Sequence, residues 1–377
     1  MAFPNGWGRR CKITIESSEV DATLTDYPVL ILVGNLPSEM VDNDGPYPAL
    51  EGGGDIRFSS DEAGQNQLAL DVKSFHLDNA PQYANSAQLF VKIPSLSSSV
   101  DTDIWVWWNK AGETQPGVAT TYGRNAVWKD THISVWHLNE DSGSVAVDAC
   151  GRHDGTFNGT LPNKQWAGLG QGQQLNGTSD YISIPDHADF NQYQDTTLFI
   201  IANSNDVGGE WRGCYTKDRE QFSAHTVGIW RSSDATGQIH YRVGQNSYQN
   251  TNWSTSGFRH LILKWAENGG IARGWVDYVE DWSGGTTASG EPANGTNPIY
   301  IGRAYDGGSS EFFSGKVTEA RWIQGLLSDD WITTMGNNYT DIANFLTTGS
   351  PETPELASQS EKAIHRGIHK GIHKGIS

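Results

Sequence analysis

The chain has 377 residues, a formal charge of −18 at pH 7, 43 Gly, 15 Trp and only 3 Met. So acidic a chain lacks the basic footprint that nucleic-acid binding needs, and so much Gly beside so many Trp and Tyr points to a turn-rich all-β protein, away from a helical bundle. At roughly 100–200 residues per domain, the length accommodates two domains.

The opening MAFPNGWGRRCKITIES contains no apolar stretch of the kind a secretion signal requires, so no export address is expected here. Strands are predicted at Cys11–Ile15, Tyr27–Val33, Asp55–Phe58, Leu68–Phe75, Gln88–Ile93 and Asp103–Trp108, each bounded by polar turn residues. Tyr27–Val33 is the longest apolar run and is far too short to span a bilayer, so no membrane insertion is expected. LFVKIPSLSSS and DTDIWVWWN read as a hairpin-linked pair with the serines in the turn. In the second of these, Ile104, Val106 and Trp108 share one face and Trp105 and Trp107 the other, which predicts a central strand covered on both sides. Cys11, Cys150 and Cys214 are too few and too scattered for a disulfide framework or a zinc site, and are read as buried thiols.

The segments GRRCKITI, YPVLILV, GGDIRFSSDEAG, LALDVKSF, LFVKIPSL and IWVWWNKAG follow one another in an order that resembles an uncharacterised β-sandwich family of bacteria and their phages, over about the first 125 residues. That family has no assigned chemistry. Further on, ISVWHLNEDSGSVAVDACGRHDGTFNG, LNGTSDYISIPDHADF, FRHLILKWAENGGIARGWVDY and IYIGRAYDGGSSEFFSGKVTEARW resemble the concanavalin-A-like laminin-G module. The resemblance implies a jelly roll of two antiparallel sheets. The residues agree with it: Ile182 and Ile184 flank Ser183, Ile299 and Ile301 flank Tyr300, and Asn-Gly, Gly-Gly and Asp-Gly turns punctuate the runs. LLSDDWITTMGNNY predicts one short helix with Ser328 as N-cap. After Phe345, TTGSPETPELASQS has no apolar period and reads as a linker. The expected architecture is therefore all-β: a sandwich at 1–128, a concanavalin-A-like jelly roll at 129–346, and a linker with an extended arm at 347–377.

Glycosidases need two carboxylates about 5–9 Å apart. Asp277 with Glu280 and Asp281 has the wrong spacing, and no Ser/His/Asp set can be tied to a motif. Glu319 and Arg321 in VTEARW are read as a structural ion pair, and His132 and His137 as satisfied histidines. No residue asks for catalysis, and a non-enzymatic protein is expected. Laminin-G-like domains often hold calcium through Asp, which makes Asp148, Asp180, Asp186 and Asp306, all in or beside turns, the candidate ligands for one calcium ion. Trp stacks well on sugar rings. The candidates for carbohydrate contact are those aromatics placed in polar turns: Trp211 in GGEWRG, Trp253 in NTNWST, Trp282 in EDWSGG and Tyr305 in RAYDGG. Five Asn-x-Ser/Thr sequences, at Asn158, Asn176, Asn252, Asn294 and Asn338, are read as turn composition and not as glycan sites.

The chain closes on HRGIHKGIHKGIS, a four-residue repeat. From Glu361 onward, Lys362, Arg366, Lys370 and Lys374 face one acid, so this tail is +3 and the rest of the chain −21. His365, His369 and His373 have helical ligand spacing, but three Gly cost about 1 kcal/mol each in a helix, and a period of four drifts about 40° per repeat. As a strand, Ile364, Arg366, Ile368, Lys370, Ile372, Lys374 and Ile376 share one face, which suits an anchoring arm laid along a partner. Adhesion-type modules, no export address and a basic arm together predict a bacteriophage virion surface protein, either a tail-associated adhesin or a capsid decoration. It would be assembled in the host cytoplasm as a homo-oligomer or in many copies, anchored to other virion proteins by the arm, and turned toward a host surface glycan. The competing expectations are a secreted cell-surface adhesin and a carbohydrate-active enzyme with an unrecognised site.

Overall fold

The computed structural model describes residues 3–77, 86–167, 169–192, 194–205, 211–217, 226–232, 237–244, 246–253, 257–267, 271–286, 295–305 and 310–354. Asp306 and the whole proposed arm, Ile364 to Ile376, lie outside the described residues.

The first seven strands are β1 (Arg9–Ile15), β2 (Leu24–Leu32), β3 (Arg57–Ser59), β4 (Gln67–Leu68), β5 (Leu70–Phe75), β6 (Ala87–Leu96) and β7 (Thr102–Trp108). Then come β8 (His132–Trp136), β9 (Val145–Ala146), β10 (Gly155–Asn158), β11 (Lys164–Trp166), β12 (Gln171–Asn176), β13 (Tyr181–Ile184), β14 (Thr196–Ser204), β15 (Arg212–Lys217) and β16 (Val227–Arg231). The last ten are β17 (Gln238–Val243), β18 (Asn246–Asn252), β19 (Arg259–Trp265), β20 (Ile271–Val276), β21 (Val279–Thr286), β22 (Ile299–Ile301), β23 (Arg303–Tyr305), β24 (Ser310–Phe312), β25 (Ser314–Gln324) and β26 (Leu346–Thr348). Among the described residues four α-helices accompany them: α1 (Ser38–Val41), α2 (Arg124–Trp128), α3 (Asp329–Thr340) and α4 (Ile342–Phe345).

The strands form two consecutive β-sandwiches. The first packs a five-stranded sheet, β26-β1-β7-β3-β4, on a three-stranded one, β2-β6-β5. The second packs a ten-stranded sheet, β18-β17-β16-β15-β22-β13-β10-β9 with β23 and β24 beside β15, on an eight-stranded one, β11-β12-β25-β14-β19-β20-β21 with β8 on β25. The predicted hairpin between β6 and β7 is not formed: β6 pairs with β2 and β5, and β7 with β1 and β3. The serine-rich connection crosses between sheets, so Leu89, Val91 and Ile93 meet Ile104, Val106 and Trp108 face to face in one core. The predicted linker also begins later than 347. Leu346, Thr347 and Thr348 pair with Ile15, Thr14 and Ile13 of β1, and Arg10 exchanges backbone hydrogen bonds with Glu352 at 3.0 and 2.9 Å. The end of the second module thus returns to complete the first.

A third apolar cluster joins the two sandwiches. Along β2, Tyr27, Val29 and Ile31 enter the first core while Leu30 enters this junction. The longest apolar run of the sequence is therefore a strand buried on both faces, which removes the need for polar alternation. Along β14, Leu198, Ile200 and Ala202 face the second core while Phe199 and Ile201 face the junction. The layers stack in the order five-, three-, eight- and ten-stranded, which leaves the outer face of the ten-stranded sheet away from the junction. Helix α3 starts as predicted, with the Ser328 hydroxyl accepting from the Trp331 N–H at 3.0 Å. Its Asn338 is fully buried and clamps the edge of β2, accepting from Leu30 N–H at 2.8 Å and donating to Leu30 C=O at 2.9 Å. One Asn-x-Thr sequence is thus neither a turn nor an accessible acceptor.

Charged residues are buried in the same junction. Asp71 and Lys73 on β5 meet His137 and the β25 residues Glu319 and Arg321. Lys73 Nζ donates to Thr318 O at 3.1 Å and lies 3.9 Å from Glu319 Oε2. His137 sets Nε2 2.8 Å from Asp71 and Nδ1 3.2 Å from Glu319. Arg321 Nε donates to Glu319 at 2.7 Å, forming the pair read from VTEARW. The Arg321 guanidinium also lies 4.8 Å from the Trp128 ring centroid and 5.0 Å from that of Phe199. Burial alone would raise the Glu319 carboxyl, but Arg321, His137 and Lys73 hold it far below the usual carboxylate range. Burial pushes Lys73 down to about 8 despite Glu319.

For His137, burial is opposed by Asp71 and Glu319, and the carboxylates win: its pKa is raised. A raised folded value means that its contribution is fully present below the unfolded value of about 6.5 and is lost as pH rises through the folded one. The unfolding midpoint of the wild type, measured against that of His137→Gln, should therefore fall as the pH is raised above the unfolded value of about 6.5. Parallel pH profiles would show that His137 carries no such linkage.

Candidate functional site

The ten-stranded sheet turns Ile182, Ile184, Ile299, Ile301, Ile229 and Tyr241 into the core. Pleat alternation then sends Tyr181, Tyr300, Trp230 and His240 to the outer face. Two aromatic groups form there. Tyr181 lies 5.9 Å from Tyr300 and 6.0 Å from Phe312, ring to ring. The Arg303 guanidinium stands over all three, 4.7 Å from Tyr181, 5.3 Å from Tyr300 and 5.5 Å from Phe312. These four side chains are each half-buried, and Tyr300 and Arg303 also engage further partners. In the second group, Trp211 packs on His240 at 4.7 Å and Trp230 lies 6.4 Å from the same imidazole. Gly213 on β15 is the register partner of both Trp230 and Phe312, so the groups adjoin. Trp230 and His240 are nearly fully buried although they point away from the core, and the Trp230 indole N–H has no acceptor among the described residues.

The sequence-predicted contact residues divide. Trp211 is half-buried on this outer face. Trp253 is 1% exposed and packs on Phe313 at 5.4 Å inside the second core; its polar neighbours in NTNWST suggested a turn, but the ring points inward and touches no surface. Trp282 is on β21 at the edge of the other sheet and packs against the same core. Tyr305 ends β23, opposite Ser310. The structure does not bring the four together. The Arg303 cage was missed because Tyr181 and Phe312 are brought to Tyr300 and Arg303 by other strands, β13 and β24; the visible signal was the alternation of Tyr300 between two isoleucines.

The described aspartates proposed for calcium, Asp148, Asp180 and Asp186, each engage different partners. Asp148 is fully buried and accepts backbone N–H groups from Val135, Cys150, Arg152 and His153 at 2.9–3.0 Å. Asp180 accepts from Thr160 N–H at 2.7 Å and Asn176 N–H at 3.2 Å, and Asp186 from Lys217 Nζ at 2.5 Å. Donors occupy the lone pairs a cation would take, so Asp148 and Asp180 act as turn locks. A cleft of about 550 Å³ opens beside the junction, lined by Lys129, Arg152, Gln324, Leu326, Ser328 and Trp331. Its Trp331 ring is committed to Tyr27 at 5.0 Å, and Arg152 donates to Lys129 C=O at 2.9 Å.

No protein-family model matches the chain, and no curated protein matches it. Among solved structures it is similar to domain 4 of AbnA, a GH43 extracellular arabinanase from Geobacillus stearothermophilus in complex with arabinotriose, at 17% identity and TM-score 0.41, over 54% of this chain and 98% of that one. It is also similar to Trypanosoma rangeli sialidase in complex with sialic acid (13% identity, TM-score 0.44, 82% of this chain and 56% of that one). A third is the binding domain of Paraclostridial Mosquitocidal Protein 1 (11% identity, TM-score 0.43, 56% of this chain and 53% of that one). The chain thus spans about half the length of the sialidase and of the toxin domain. At these scores none of them bears on what this chain does.

Proposed function

We propose that this is a non-enzymatic carbohydrate-binding protein whose recognition surface is the outer face of the ten-stranded sheet. The observation that carries this is the Arg303 cage, three aromatic rings gathered around one guanidinium, adjoining Trp211 on His240. Aromatic faces offer apolar area to the C–H face of a sugar ring, and a guanidinium offers fixed hydrogen-bond donors to its hydroxyls or carboxylate. Few polar groups on a largely apolar platform is the composition of a small-ligand site. Full-length protein on a glycan array, followed by product analysis of any ligand found, tests this reading: binding with the ligand recovered intact is expected, and hydrolysed products would favour a carbohydrate-active enzyme.

The wider setting we propose is a virion surface component, with other virion proteins as partners of the 364–376 arm. What supports it is the strand-period repeat and its charge, opposite to that of the body. Because Glu352 is tied to Arg10 both by backbone and by a 2.6 Å ion pair, a truncation that spares the fold must start after 354. Deleting 355–377 should leave the unfolding midpoint unchanged and abolish co-assembly with particles; particles that still carry the truncated protein would remove the anchor.

A further inference from the structure

We propose that His153, His187 and Asp189 form a binding site for a first-row transition-metal dication such as Zn²⁺, with ligands that belong neither to the aromatic face nor to the set of aspartates expected to hold calcium. His153 follows β9 and is fixed at both backbone ends: its N–H donates to Asp148 Oδ2 at 2.9 Å, and its C=O accepts from Trp136 Nε1 at 2.9 Å. Its ring rests against Phe190 at 4.6 Å and faces His187 at 4.5 Å. That places Nε2 2.9 Å from Asp189 Oδ2, while His187 Nδ1 lies 3.4 Å from the same oxygen. All three ligand atoms lie within 4.8 Å of one another.

Bonds of about 2.0–2.2 Å to a tetrahedral zinc separate neighbouring ligand atoms by about 3.3–3.6 Å. The 3.4 Å spacing already meets this, and the 2.9 Å spacing falls short by only a fraction of an ångström. The adjustment falls on His187 and Asp189, whose side chains are 53% and 42% exposed, while His153 stays fixed. His187 Nδ1 also accepts the Asp189 N–H at 3.2 Å; metal binding exchanges that weak cap for a coordinate bond. Two imidazole nitrogens with one carboxylate suit Zn²⁺, Ni²⁺ or Cu²⁺ and not the all-oxygen shell of Ca²⁺. Exposure of two of the ligands leaves the fourth position to solvent.

Calorimetric titration of the full chain with Zn²⁺ tests the site. His365, His369 and His373 of the arm can take metal themselves, so the reference protein carries His365→Ala, His369→Ala and His373→Ala. It is expected to bind one Zn²⁺ and to show no heat with Ca²⁺. Adding His187→Ala should weaken Zn²⁺ binding by at least about tenfold, the cost that even outer-shell changes carry, with only the small fall in the metal-free unfolding midpoint that loss of the weak cap brings. Zn²⁺ should raise that midpoint only while the site is intact. Equal binding with and without His187, or no binding by the reference protein, overturns the proposal.

Discussion

Glu319→Ala is expected to destabilise the chain by about 3–5 kcal/mol, the cost of removing one partner from a buried ion pair. Glu319 is 1% exposed at the centre of the junction, where it faces Arg321, His137 and Lys73. Removing it leaves three cationic or cationisable groups in a place water cannot reach, with Asp71 beside His137 and the more weakly coupled Glu140 left to answer them. The loss should exceed what the missing contacts suggest, because the desolvation of the remaining charges is then uncompensated. Glu319→Gln keeps an acceptor for Arg321 and should cost less, though the charge is still gone. Equilibrium unfolding in urea measures both. A Glu319→Ala change below about 1 kcal/mol would mean that the junction opens to water and that the two sandwiches are not locked through these residues.

That network marks where the sequence stops being informative. In LALDVKSF, Asp71 and Lys73 alternate with Leu70 and Val72, the pattern of a strand with one wet face. Nothing local reveals that this polar face is covered by a strand some 245 positions away. The β6–β7 hairpin failed for a related reason: adjacent strands joined by a short polar segment can pair edge to edge or stack face to face, and only the distant partners β2 and β1 decide. By contrast, alternation in β13 and β22 was readable because each strand has its inner face in one core. Helix α3 was readable because its cap is a local hydrogen bond.

The second large effect is expected at the aromatic face. Arg303→Ala removes the guanidinium that stands over three rings, and Trp211→Ala removes the ring that covers His240. Each should weaken glycan binding by about tenfold or more, since Trp and Arg at the centre of a contact surface are worth roughly 1.4 kcal/mol or more each. Both residues lie outside the second core, so the unfolding midpoint should move little. Trp253→Phe is the contrasting variant. It changes a ring buried against Phe313, so it should lower stability and leave glycan affinity unchanged.

Part of this face was legible in the sequence. Trp211 was expected away from the core because a Trp between Glu210 and Arg212 in a polar segment has no apolar strand pattern to hide in, and its ring is half-buried on the outer face. Trp253 was misjudged on the same rule, because a ring at a strand end can fold inward whatever its neighbours are. Arg303 gave no signal, because its meaning lies in Tyr181 and Phe312, brought to it by β13 and β24.

The most direct test of carbohydrate recognition by the outer sheet face is one glycan array probed with wild type and with the Trp211→Ala, Arg303→Ala double variant, matched for unfolding midpoint. The wild type should bind a defined set of glycans and the folded double variant should lose them. Undiminished binding by the double variant would place recognition elsewhere on the molecule.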